Sequence, residues 1–449
     1  MNTKVQKKFF DKATSNPAFV LAVGFLLLIT VGGVLLSTPF VTRSGDATNP
    51  LDAFFVAISA SCVTGLTPVN TVEHWNNLGH VIIIILIQIG GLGIMTLASL
   101  VPLILGKKIG IKSRTVLKEQ LNIESMSGMI NLFKYVLIFT LTVEFLGAAF
   151  LAVRFIPSYG LGKGIWYSIF HSISAFCNAG FDILGDSIYP LRDDALVNIT
   201  LMALIVIGGL GFMVTSEIFY KKNFQKLTTH AKLVIYLNII LIVGGALAFY
   251  LLEVYTDGVL KGESMKGRII ESFFQSVAAR TAGFYSVDLS QINDSTAFML
   301  LGLMFIGGSP GSTAGGIKTT TFGILFLATF AEMTKRKEVV VYKRRIGDES
   351  VRKALSIFLT SLTVVIIVSF VISLTDDFAI IDILYETVSA LATVGASRGI
   401  TGLLSPAGKV MIGLCMYLGR IGPMTMAFAF GIRSNEKLIR YPEAPISLG

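Results

Sequence analysis

Charge is scarce in this 449-residue sequence: Asp, Glu, Lys and Arg make up 14% of it, against 53% hydrophobic residues and a mean hydropathy of +0.73. A soluble domain carries about a quarter charged residues, so an integral membrane protein is expected instead. Cysteine is scarce too. Cys62, Cys177 and Cys415 lie in apolar or loop-end settings, so neither a disulfide framework nor a thiolate metal centre is indicated. The four histidines, His74, His80, His171 and His230, have no metal-ligand spacing. No nucleophile, base and oxyanion donors fall into a catalytic pattern, so neither an enzyme nor a covalent cofactor is expected. Basic runs such as Lys335-Arg336-Lys337 and Lys343-Arg344-Arg345 read as contacts for lipid headgroups or a cytoplasmic partner rather than for nucleic acid.

What the sequence has in abundance is apolar runs of spanning length. They fall near 18–36, 78–105, 130–153, 196–219, 231–252, 296–330, 352–374 and 408–432, and predict eight spans with both termini on one side of the bilayer. The first run reads as a true span, since no small-residue cleavage site follows it. The segments on the terminal side (1–16, 107–134, 217–232, 332–353 and 433–449) hold 25 of the 37 Lys and Arg but 10 of the 28 Asp and Glu. The positive-inside rule therefore puts both termini in the cytoplasm and the chain in the cytoplasmic membrane.

Between the spans of each pair lies a shorter apolar segment, such as Leu51 to Val63 or Ile165 to Cys177. A dozen helical residues reach about 18 Å, too little to cross, so these segments are expected to enter from outside and return. Each carries one spacing, an aromatic residue followed by Ala five and Gly ten positions later: Phe55/Ala60/Gly65, Phe170/Ala175/Gly180, Phe273/Ala278/Gly283 and Tyr385/Ala390/Gly395. The expected fold is all-α, with four span/pore-helix/loop/span repeats at 17–106, 128–220, 230–331 and 350–433 around one central pore. Residues 1–16 and 434–449 are cytoplasmic tails.

Non-helical backbone at membrane depth is tolerated where it lines a wet cavity or is buried in protein. Glycine can turn its own and its neighbours' carbonyls toward a shared axis. Four such loops could replace the hydration shell of a monovalent cation, with the negative ends of the short helices adding a favourable field. The candidate filter residues are Val63, Thr64 and Gly65; Asn178, Ala179 and Gly180; Thr281, Ala282 and Gly283; and Thr393, Val394 and Gly395. A secondary transporter of another cation or small solute, with a midplane site at a broken span, is the alternative.

That broken span is the sixth, interrupted by Gly307, Gly308, Ser309, Pro310, Gly311, Ser312, Thr313, Ala314, Gly315, Gly316, Ile317 and Lys318. Its glycines and proline cannot continue a helix. It nearly spells a phosphate-binding loop, but Lys318 stands one residue too far from Gly316 and no strand precedes it. Ile89-Gly90-Gly91-Leu92-Gly93 and Ile207-Gly208-Gly209-Leu210-Gly211 read mostly as close helix packing. Arg420, inside the eighth span, must face water, a partner or the bundle interior. It could repel cations in the pore or hydrogen-bond the carbonyls of the broken span. Arg280 is expected behind the filter, bracing the loop, and Lys318 could pair with an acidic group that the sequence does not name.

The four Gly loops, with Thr-Ala-Gly-Phe at 281–284 and Thr-Val-Gly at 393–395, resemble the Trk/Ktr/HKT superfamily of potassium transporters, closest to the Ktr-type membrane subunit, over nearly the whole chain. The resemblance implies that Gly65, Gly180, Gly283 and Gly395 form a potassium filter, that residues 307–318 with Arg420 form an intramembrane gate, and that potassium is the ion, with sodium dependence open. It also implies a homodimer and a separate cytosolic, nucleotide-binding regulatory subunit, for which 107–118 and 335–345 are docking candidates. One Gly per loop predicts fewer stacked carbonyl rings than a potassium channel has. Ala396 and Ser397 stand where the family commonly has a bulkier residue.

Overall fold

Long apolar runs satisfy their backbone hydrogen bonds within a bilayer by becoming helices, and the computed structural model is almost wholly helical. It describes residues 17–93, 129–256, 258–336, 338–422 and 425–426. The expected tails and the basic segment 107–118 lie outside the described residues. In chain order the helices of ten residues or more are α1 (Pro17–Leu36), α2 (Pro50–Cys62), α3 (Asn77–Leu92), α4 (Met129–Tyr159), α5 (Leu161–Phe176), α6 (Ala195–Gly209) and α7 (Phe212–Lys221). They continue as α8 (Thr229–Tyr255), α9 (Met265–Ala278), α10 (Asp294–Phe305), α11 (Thr319–Met333), α12 (Asp348–Thr375), α13 (Ile380–Leu391) and α14 (Pro406–Ile421). A small hairpin precedes α12, with Val340 paired to Arg345 and Val341 to Arg344.

Among the described residues, four helices are long and apolar enough to cross a bilayer: Ala18–Leu36, Lys134–Tyr159, Thr229–Tyr255 and Asp348–Thr375. Their outer faces carry side chains such as Leu27 and Phe145, 66% and 73% exposed, a surface suited to lipid rather than water. Each long helix packs on the short helix that follows it: α1 on α2, α4 on α5, α8 on α9, α12 on α13. The next helix in each case reaches the short helix of the following unit. Thus α3 packs on α5, α6 on α9, α10 on α13, and α14 returns to α2.

In the first, second and fourth pairs the second long run differs from the expected uninterrupted span. Over 196–219, α6 stops at Gly209 and α7 leaves at an angle of 100°. Helices α3 and α14 stop at Leu92 and Ile421. Gly93, Gly211 and Gly422, with φ/ψ of 86/138°, 95/135° and 89/133°, form one equivalent turn that a side chain would oppose. The packing reading holds for the glycine three positions earlier. A Cβ on Gly90, Gly208 or Gly419 would stand within 2.0 Å of the carbonyl oxygen of Ser61, Phe176 or Leu391, where the short helices end. The run 296–330 breaks as expected, between Phe305 and Thr319.

Candidate functional site

Each short helix ends just before its loop, and the backbone then reverses hand. Val63, Asn178, Thr281 and Thr393 have φ of 58°, 58°, 86° and 50°, and two residues on Gly65, Gly180, Gly283 and Gly395 have φ of 101°, 68°, 68° and 92°. A β-branched residue in this region is strained, and here three of the four first positions are β-branched. The strain recurs at one place in every loop, which marks a site rather than ordinary turns.

The loops meet. A Cβ on Gly65 would lie 2.6 Å from Ala179 O, one on Gly180 2.6 Å from Ala282 O, one on Gly283 2.3 Å from Val394 O and one on Gly395 2.0 Å from Thr64 O. Read in order, these contacts run from the first loop to the second, third and fourth and back to the first. Eight of the twelve candidate filter residues, the four glycines and the residue before each, therefore form one closed ring of contacts, and any side chain at the glycines strikes fixed backbone.

Sequence reasoning missed the residues that hold the loops. Ser59 accepts the Thr64 N–H on its carbonyl (2.8 Å) and the Gly65 N–H on its hydroxyl (3.0 Å), and Ser389 does the same for Val394 (2.8 Å) and Gly395 (3.1 Å). Ser174 accepts from Ala179 N–H (2.8 Å) and donates to Phe181 O (2.7 Å). All three serines stand four residues after the repeated aromatic, a signal legible in the sequence; the third repeat has Val277 there, and its loop leans on Ala278 O. The aromatic itself also departs in that repeat. Phe55, Phe170 and Tyr385 are buried, whereas Phe273 is 37% exposed and Phe274 fills the interior.

The glycine-rich segment 307–318 lies against the start of these loops. A Cβ on Gly315 would stand 2.0 Å from Thr393 Oγ1, and one on Gly316 3.3 Å from the Ala392 side chain. Gly308 N–H donates to Gly315 O (3.3 Å) and Thr319 N–H to Gly308 O (3.0 Å), which closes the segment into a loop. Ser309 and Thr313 N–H donate to Gly209 and Gly208 O, and Phe212 N–H to Gly311 O (2.8 Å), so the loop occupies the bend between α6 and α7. Thr313, fully buried, donates through Oγ1 to Phe176 O (3.0 Å) and receives Asn178 Nδ2 (2.9 Å). The loop thus touches the second and fourth candidate filter loops directly.

Three cations frame it. Arg420 donates to Thr313 O, Gly90 O and Gly91 O, joining the loop to α3. Of its two expected roles, the hydrogen bond to the broken span's carbonyls is in place, and the residue also lines a cavity of about 280 Å³. Arg280 braces the gate candidate rather than a filter loop, donating to Asn238 Oδ1 (2.7 Å) and Gly307 O (3.4 Å), while Asn238 Nδ2 reaches Ser309 Oγ (3.1 Å). Lys318 donates to Ala314 O (2.7 Å) and Gly315 O (3.4 Å), so the acidic partner anticipated for it is replaced by the loop's own carbonyls. Lys318 and Arg420 share the cavity with Leu21, Phe25, Phe305 and Ile357.

Among the described residues no group of His, Cys, Asp and Glu could hold a metal ion. Backbone carbonyls turned toward one another, and cations tied to carbonyls beside a cavity, suit the handling of ions. The family model "TrkH: Cation transport protein" matches residues 5–441. The potassium/sodium uptake protein NtpJ of Enterococcus hirae is 42% identical, over 99% of this chain and all of that protein. The Ktr system potassium uptake protein B of Bacillus subtilis is 39% identical over 97% of each. The crystal structure of the potassium transporter TrkH from Vibrio parahaemolyticus has the same fold, with a TM-score of 0.74 at 18% identity over 93% of this chain and 85% of that one. The chain belongs to the TrkH family of cation transport proteins, a family of membrane transporters and not of enzymes.

Proposed function

We propose that this chain carries potassium into the cell as the ion-translocating subunit of a Ktr-type uptake system. Four repeats, 17–106, 128–220, 230–331 and 350–433, supply eight spans and four re-entrant pore helices around one pore, with both termini cytoplasmic. The filter consists of the backbone at 63–65, 178–180, 281–283 and 393–395. Residues 307–318 with Arg420 form the gate on its inner side, where a guanidinium and the Lys318 ammonium oppose cation passage until the loop moves.

The observation that carries this reading is the closed order of contacts between the four loop glycines and their neighbours' carbonyls. A shared ring of carbonyls at one axis suits a dehydrated monovalent cation. The packing order of α3, α6, α10 and α14 on successive short helices supports parallel units around an axis rather than the inverted halves of a midplane solute carrier. Sodium is either a second permeant ion or a coupled one, a reading supported by the name of the Enterococcus hirae relative. The Bacillus subtilis relative is named as part of a system, which supports a further subunit. We assign that role to a cytosolic nucleotide-binding regulator docked on 107–118 and 335–345, beneath a homodimer.

Replacing Gly395 by Ser tests the filter. The expected result is loss of potassium-dependent growth in cells without other uptake systems, together with a fall in the potassium-over-sodium flux ratio in vesicles. Unchanged uptake and selectivity would overturn the filter assignment.

A further inference from the structure

Glu386 lies on α13, fully buried, one residue after the aromatic of the fourth repeat. It meets the fourth loop two residues beyond Gly395. Ser397 Oγ is 2.7 Å from Glu386 Oε2, Thr401 Oγ1 is 2.5 Å from Glu386 Oε1, and the two hydroxyl oxygens are 3.0 Å apart. Each of these three contacts needs one hydrogen. The hydroxyls bring one each, and an ionised carboxylate brings none, which would leave one contact as a bare approach of two oxygens.

A neutral Glu386 supplies the third hydrogen. The ring then closes in one sense: the carboxyl O–H donates to Thr401, Thr401 to Ser397, and Ser397 back to the carboxyl carbonyl. Ser397 Oγ also receives the Gly399 N–H (3.0 Å), which fills its second lone pair. No ion pair reaches Glu386 among the described residues. Arg398, the neighbouring cation, is held instead by Asp382 (2.8 Å), Asp294 (3.0 Å) and Ile292 O (3.1 Å). Asp382 stands one helical turn before Glu386 and adds a like charge. A buried carboxylate with no cation and only two donors is costly, whereas a fully satisfied neutral ring rigidifies what it joins.

No other repeat has a carboxyl at the position of Glu386. The positions matching Glu386 and Ser397 are Val56 and Thr67, His171 and Asp182, and Phe274 and Tyr285. We propose that Glu386 is held as the neutral acid and, through its ring with Ser397 and Thr401, is a positioning residue that fixes the outer limb of the fourth loop and thereby sets its discrimination between potassium and sodium. The proposal rests on the filter reading above.

The test is potassium and sodium flux through the full chain in vesicles, with infrared spectra of the same samples. Glu386→Gln keeps an N–H donor and a carbonyl acceptor, so its flux ratio should stay within about twofold of the original. Glu386→Ala and Thr401→Val break the ring and should lower the ratio about tenfold. The wild-type spectrum should contain the C=O stretch of an un-ionised carboxyl that E386Q removes. If E386A does not fold, T401V carries the flux test. A wild-type ratio in the ring-breaking variants that fold, an E386Q ratio as poor as theirs, or no un-ionised carboxyl lost in E386Q would each overturn the proposal. If Gly395→Ser abolishes discrimination while E386A and T401V do not, the ring alone has failed; if all three leave it unchanged, the filter reading has failed.

Discussion

At the scale of single residues, Thr313 concentrates several of the bonds that hold the proposed gate loop. Its hydroxyl joins the end of α5 to Asn178, its carbonyl takes Arg420, and its N–H reaches Gly208 O. A neutral hydrogen bond contributes about 1 kcal/mol net, a factor of about five in a two-state equilibrium. Thr313→Val keeps the shape and removes both hydroxyl bonds, about 2 kcal/mol together, so resting potassium flux in vesicles should rise about thirtyfold. Arg420→Ala removes both a tie to the loop and a positive charge from the cavity, and should raise resting flux further. Flux at or below the original in both variants would count against the loop as a closed gate. Arg420 was legible in the sequence because a guanidinium in an apolar run is costly. Its partners were not, since they are backbone carbonyls, which every residue carries. Thr313 was hidden for a related reason: one hydroxyl among Ser309, Ser312 and Thr313 looks like another until the fold sets which one faces Phe176.

At the scale of elements, the short helices and their loops were legible from spacing, while the ends of their partner helices were not. Composition reads 196–219 as one apolar run, because the bend at Gly211 costs no hydrophobicity. The informative quantity is conformation. Gly209 is helical, with the nearest atom 3.9 Å from where a Cβ would stand, whereas Gly211 has φ of +95° and its Cβ would lie 2.5 Å from Pro310 O. Two glycines two residues apart should thus respond in opposite ways. Gly209→Ala should be neutral or raise the unfolding temperature in detergent, since Ala is favoured over Gly in a helix by about 1 kcal/mol. Gly211→Ala should lower it and disturb transport, because Phe212 N–H and Gly311 O meet across that bend. Equal responses would mean that the bend does not depend on glycine.

At the scale of the whole molecule, four units in a row have to close, and the closing seam lies between residues far apart in sequence. Helix α14 packs on α2, and Lys409 Nζ donates to Asp52 Oδ1 at 2.7 Å, with side-chain exposures of only 13% and 18%. Tyr417 donates to Ala22 O (2.7 Å), and Phe55, Cys62 and Leu66 of the first unit share a hydrophobic cluster with Tyr385, Val394 and Met416 of the last. No pattern along the sequence announces this seam, since the repeat spacing says that units are alike and not which surfaces meet. It is nonetheless what turns four loops into a ring, because the same interface carries the contact between Gly395 and Thr64 O. An ion pair so little exposed is costly to break from one side, as the remaining charge is left without its partner. Asp52→Ala and Lys409→Ala should each lower the unfolding temperature, and the double variant should be little worse than either single one. That corresponds to a coupling of about 1 kcal/mol in a double-mutant cycle. Both single variants should also lower the potassium-over-sodium flux ratio, although neither residue is in the proposed filter. Additive stability effects together with an unchanged ratio would show that the filter does not depend on this pair for its closure.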